Sequence, residues 1–173
     1  MSDFFEILKY TLPALIVFIT AYLLIRKFLD TSLKIKKADL ILQNDQYILP
    51  VRMQAYERLV LFLERISPDN LLMRINRRDM TSQKLHSELL SVIRSEFEHN
   101  LSQQIYVSRE SWEVIKNAKS SLINIINQAA KSIEPGSPSI KLSQTILESI
   151  MDKDDSPTDV AIDFIKKEVK ELF

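Results

Sequence analysis

The chain has no cysteine, a single glycine and two histidines. Without cysteine there is no disulfide and no thiolate chemistry, a composition compatible with a reducing compartment. One glycine is too few for a hairpin-rich β-fold, whose tight turns need residues that accept positive φ. It also leaves no Gly-rich loop to cradle a phosphate, since Gly136 stands alone. No serine sits in a Gly-x-Ser-x-Gly elbow or in a Ser-x-x-Lys context with partners. Neither sign of charge is in excess: Lys and Arg total 23, as do Asp and Glu. Zero net charge argues against general nucleic-acid binding and leaves local asymmetry as the electrostatic signal.

What the chain does have is an uncharged apolar run from Tyr10 to Ile25, followed by Arg26 and Lys27. A spanning helix needs about 20 mostly apolar residues. Phe4, Phe5, Ile7 and Leu8 extend the run upstream, and Phe28 and Leu29 extend it downstream. Tyr10 and Tyr22 suit interfacial depth, and Lys9 can snorkel. Pro13 either kinks a helix starting near Asp3 or sits in the first turn of a shorter one. A cleaved signal peptide would want a basic start and small residues at a cleavage site, whereas the chain begins MSDFFE and continues LLIRKFLD. A buried core helix is the other competitor. The expectation is an uncleaved signal anchor, a single span in the inner membrane. Downstream lie Arg26, Lys27, Lys34, Lys36 and Lys37; upstream lie Asp3, Glu6 and one lysine. The basic side stays in the cytoplasm, so the N-terminus faces out and the remainder faces in. The same cations are candidates for contact with anionic headgroups.

The rest of the pattern is helical. Leu29, Leu33 and Leu40 continue the first helix as a stalk, with a break expected at Gln43–Gln46 and a new helix opening at Pro50. In VRMQAYERLVLFLERI, Val51, Ala55, Leu59, Phe62 and Ile66 fall at three- and four-residue steps, widened by Tyr56, Val60 and Leu63. This is the expected central core helix. Ser67-Pro68-Asp69 restarts a short helix through Leu71, Leu72 and Ile75. Thr81 or Ser82 opens a helix carrying Leu85, Leu89, Val92, Ile93 and Phe97. LSQQIYV reads as a short extended connector, since one strand cannot make a sheet. Ser108 caps a long helix with Trp112, Ile115, Leu122, Ile126 and Ala129. Glu134-Pro135-Gly136-Ser137-Pro138 ends it, with the glycine at a helix terminus. A shorter helix carries Leu142, Ile146, Leu147 and Ile150. After the charged break at Asp152–Asp155, Ser156-Pro157-Thr158-Asp159 opens the last helix. The expected division is anchor and stalk over 1–42, bundle core over 43–133 and a C-terminal helical extension over 134–173.

Candidate sites are few. Glu96 and His99 share a helix face at the spacing used by di-iron bundles, but a second such motif and further carboxylates are missing. Neither a metal nor a cofactor is expected. Arg74, Arg77 and Arg78, with Arg52, Arg58 and Arg65 before them, form the strongest basic concentration after the anchor. Arginine forks suit phosphates, acidic partners or lipid headgroups, yet interleaved Glu57, Glu64, Asp69 and Asp79 suit an ordinary solvated face. Trp112, Tyr56, Tyr106 and Phe97 read as core aromatics. The last helix has an apolar stripe of Ala161, Ile165, Val169 and Leu172 that either packs in cis or receives a partner helix.

The runs LPVRMQAYERLVLFLERISPDNLLMRI and SEFEHNLSQQIYVS resemble an uncharacterised family of small membrane-anchored proteins from Bacteroidota, across Phe4 to Ile133. The resemblance implies an N-terminal anchor and a helical body, and lends no activity. The expected molecule is all-α: a single transmembrane helix and stalk, then a small cytoplasmic helical bundle. Its expected role is that of a membrane-tethered adaptor binding a protein partner. A self-associating structural protein of the envelope is the first alternative, and an enzyme with a scattered site the last. No nucleic acid and no small-molecule substrate is expected.

Overall fold

The computed structural model describes residues 2–151 and 155–172, and side chains over 15–36, 47–151 and 155–172. It is helical throughout: α1 Ser2–Ile66, α2 Pro68–Ile75, α3 Ser82–His99, a 3₁₀ turn Leu101–Ile105, α4 Arg109–Lys131, α5 Ser139–Met151 and α6 Pro157–Glu171. Among the described residues the sole β pairing is an isolated antiparallel bridge between Thr81 and Pro138. The chain divides into two units, residues 1–49 and 50–173.

The first unit consists of the first part of α1. The break expected at Gln43–Gln46 is absent: the backbone is helical there, and Pro50 lies inside α1 instead of at its start. Polar residues at those positions do not forbid a helix; they only weaken its propensity. Pro50 marks the division between the units.

The second unit is a bundle built on the remainder of α1. Ala55, Tyr56, Leu59, Phe62, Leu63 and Ile66 are each 2% exposed or less, while Val51, at the edge of that stripe, is 41% exposed. Leu71, Leu72 and Ile75 of α2, Leu85, Leu89 and Ile93 of α3, and Trp112, Ile115, Leu122 and Ile126 of α4 close on it. Phe97 stacks on Trp112 at 5.5 Å and tilts against Phe62 at 5.9 Å. The Lys119 ammonium lies 3.8 Å above the Phe97 ring centre, covering its open face. Tyr106, expected in the core, is at the surface, and its carbonyl accepts a hydrogen bond from Arg52 Nε at 3.0 Å.

Two local expectations are corrected. LSQQIYV is a 3₁₀ turn followed by a bend, not an extended connector. Its β-branched content is outweighed by the short span between two helices. Gly136 does not take a left-handed conformation; no residue described has positive φ. Helix α4 ends at Lys131 with Ser132 as its C-cap, well before the glycine.

Helices α5 and α6 fall in the same unit as residues 50–133. Leu142, Ile146, Ala161, Ile162 and Ile165 enter the common core, and α6 packs along α4. Hydroxyls fasten the Pro/Gly segment down. Ser82 Oγ donates to the carbonyls of Glu134 and Pro135 at 2.9 and 3.0 Å. Ser82 N donates to Ser137 O at 2.8 Å, and Ser139 N to Met80 O at 2.9 Å. Ser139 Oγ donates to Asn76 Oδ1 at 2.6 Å, and Asn76 Nδ2 donates to Ser143 Oγ at 2.9 Å. A turn-forming sequence is therefore a sutured crossing between two loops. Removing residues 134–173 strips these core side chains from α4, so the truncated chain is expected to lose cooperative thermal unfolding by circular dichroism. A sharp transition in it would show that 50–133 folds alone.

Candidate functional site

In the first unit, every large apolar side chain from Leu15 to Leu29 is 46–71% exposed. Thr20 turns its hydroxyl back on the helix, donating to the carbonyls of Ile16 and Val17 at 2.9 Å. Among the described residues no helix is long and apolar enough to cross a membrane. Side chains of Tyr10–Ala14, the upstream third of the apolar run, lie outside the described residues. Arg26, Lys27, Lys34 and Lys36 are exposed, while the side chain of Lys37 falls outside the described set.

The arginines do not form one free patch. Arg65 pairs with Glu96 at 2.8 Å, and Arg74 lies 3.7 Å from the same carboxylate. Arg74 Nη2 also donates to Arg65 O at 3.2 Å. One half-buried carboxylate thus gathers guanidiniums from α1 and α2 onto α3. Arg77 and Arg78 stand exposed in the loop between α2 and α3. Glu96 is therefore committed to arginines, and His99 turns Nδ1 to Ser95 O at 2.8 Å instead of toward Glu96. His86, on another turn of α3, pairs Nε2 with Asn127 Oδ1 at 2.8 Å, within a polar groove of about 470 Å³ between α3 and α4. Among the described residues no three His, Asp or Glu side chains gather as metal ligands.

The stripe of the last helix lies inside the bundle. Ala161 and Ile165 are 0% and 1% exposed, and Val169 and Leu172 pack half-buried against the same core. Ala161 is spent wholly on the core, while Ile165 and Val169 also line a trough that α6 forms with α1. The surface that α6 leaves open carries Val160, Phe164, Lys166 and Lys170.

The most elaborate polar cluster was not legible as a site in the sequence. Glu168 of α6 reaches the N-terminus of α4, where Ser108 Oγ and Ser111 Oγ donate to its Oε2 at 2.6 and 2.5 Å. Tyr56 of α1 donates its hydroxyl to Oε1, and Ser108 N–H adds a longer bond of 3.4 Å. Ser108 Oγ also accepts from Ser111 N at 3.0 Å, so one serine caps the helix and holds the acid. Burial pushes the Glu168 carboxyl up, but hydrogen bonds from Ser108, Ser111 and Tyr56 outweigh it and hold the group below the ordinary glutamate value. Burial, then donation to Glu168, pushes the Tyr56 phenol up. The carboxylate accepts from every direction, which makes it a tie between α1, α4 and α6 and a poor base. Three hydroxyls and their carboxylate, with Tyr56 and Glu168 112 residues apart, give no spacing motif; the one visible signal was Ser108 as a cap.

Because the folded carboxyl titrates below its unfolded value of about 4.3, its stabilisation is complete above that pH. It fades as pH falls through the folded value. Denaturant unfolding below pH ~4 should therefore show a loss of stability that Glu168→Gln lacks, and at neutral pH that variant should lose about 1–3 kcal/mol. Equal acid sensitivity in both proteins would contradict this role for Glu168.

A family model described as "Family of unknown function (DUF7935)" matches residues 2–172. The match passes beyond Ile133 and takes in α5 and α6. No curated protein and no solved structure matches the chain.

Proposed function

The chain belongs to the DUF7935 family, whose function is unknown, and on that premise we propose that it is a membrane-tethered helical adaptor. The observation that carries this reading is the uncovered apolar surface from Leu15 to Leu29. Contiguous exposed apolar surface marks a site that something must cover, and burial is worth roughly 25 cal/mol per Å². Lipid fits better than water or a polar partner. Within Leu15–Ile25 the side-chain hydroxyl of Thr20 is satisfied on its own helix, as a hydrocarbon environment requires. With Tyr10–Ala14 included, the uncharged run approaches spanning length. The basic flank of Arg26, Lys27, Lys34, Lys36 and Lys37 favours retention of that side, and so of the bundle, in the cytoplasm. A bacterial inner membrane is the compartment this topology implies.

The binding role follows from the second unit. Its two histidines and the Glu168 carboxylate are occupied by intramolecular hydrogen bonds, so an enzymatic reading ranks last. Its open surfaces are helix faces and loops, among them Arg77 and Arg78. These suit recognition of another protein.

The full-length chain should sediment with membranes and resist alkaline carbonate. Phe18→Arg with Leu24→Arg, both at exposed positions, should shift most of it to the supernatant. Recovery of the unmutated chain in the aqueous fraction would remove the tether and the adaptor role built on it.

A further inference from the structure

An apolar trough of about 600 Å³ lies between α6 and the 50–66 part of α1. Met53, Tyr56, Val60, Leu61, Ile165 and Val169 supply its apolar lining. Glu57 stands on the α1 rim, and Lys166 and Lys170, one helical turn apart, stand on the α6 rim. Leu61 belongs to that lining and forms its crest on α1. This leucine is 60% exposed and also borders the groove that α1 forms with α3, next to Arg58 and Arg65. A crest of one large apolar side chain flanked by grooves on both sides is a surface shaped to receive a helix ridge.

The charges choose among occupants. The rims carry opposite signs, one carboxylate on α1 and two ammonium groups on α6. The Lys166 ammonium meets only Asp163, 3.3 Å away in a pair 63% and 68% exposed, an arrangement that holds it weakly. Lys170 has no ion pair among the described residues. An anionic amphiphile would satisfy the lysines and leave Glu57 facing a carboxylate or phosphate. A second copy satisfies both rims. A two-fold axis parallel to the 50–66 part of α1 brings the α1 rim of each copy onto the α6 rim of the other. Leu61 then enters the partner's trough and Glu57 meets the partner's lysines, twice over.

We propose that this α1/α6 face is an isologous dimer interface in which Leu61 of each copy fills the trough of the other and Glu57 pairs with the opposing Lys166 and Lys170. The proposal goes beyond the adaptor reading and does not depend on the tether. It uses residues 50–170 alone, so it stands whether or not residues 10–25 enter lipid.

The test is sedimentation velocity of the full chain in detergent micelles over a wide concentration range. Glu57→Lys alone, and Lys166→Glu with Lys170→Glu, should each weaken self-association at least tenfold. An equimolar mixture of the two should restore it as a heterodimer. Leu61→Asp should leave a monomer. The four positions are at the surface, so circular dichroism should show unchanged helix content and melting, which separates lost association from lost folding. A monomer at all concentrations, with or without a bound amphiphile in native mass spectrometry, overturns the proposal. So does a dimer indifferent to these reversals, because another face would then join the copies. A chain that dimerises in this pattern yet stays out of the membrane pellet keeps the proposal and loses the tether.

Discussion

Burial of one helical stripe, Ala55 to Ile66 on α1, is the constraint on which the rest of the bundle depends. Leu59, Leu63 and Ile66 have no exposed surface at all, and every later helix contributes side chains to the same cluster. Removing such a group from its pocket leaves a cavity whose cost, about 2–5 kcal/mol for leucine to alanine, rivals the net stability of a domain. The short helices α2 and α5 could not persist alone at 8 and 13 residues; in water, isolated helices of this size are marginal. They are helical because each has an apolar face to set against the common core, α2 beside α3 and α5, and α5 beside α3 and α4.

Polar interactions then select which arrangement of helices is adopted. Apolar stripes at helical spacing are tolerant of register, but a carboxylate that needs four donors is not. Glu168 finds its donors at one place, where the capped start of α4 meets Tyr56. Glu96 plays a comparable part on α3 by drawing in Arg65 and Arg74. Among the described residues no buried side-chain nitrogen or oxygen lacks a partner, as expected when polar groups specify a packing instead of opposing it.

Much of this was legible from spacing. The core positions of α1, α3 and α4 follow from three- and four-residue periodicity, and the cap at Ser108 follows from its chemistry. What periodicity could not supply is anything that depends on two distant segments. The segment Pro135–Pro138 reads as a linker because proline and glycine punctuate chains; the hydroxyls of Ser82 and Ser139 that bind it to the other loop carry no such signal. The Glu168 cluster was hidden for the same reason. Pro50 misled because proline usually opens a helix, whereas here it lies within one. The amphipathic stripe of α6 was visible, but that α6 packs along α4 depends on residues distant in sequence.

The solitary glycine has a consequence of its own. At Gly136 an added methyl group would meet no atom within 4 Å, and the backbone there is of the kind any L-amino acid adopts. Nothing stereochemical reserves that position for glycine. The described fold is thus one that eighteen amino-acid types could write, cysteine being absent already, and its architecture is open to drift at the very residue that composition singles out.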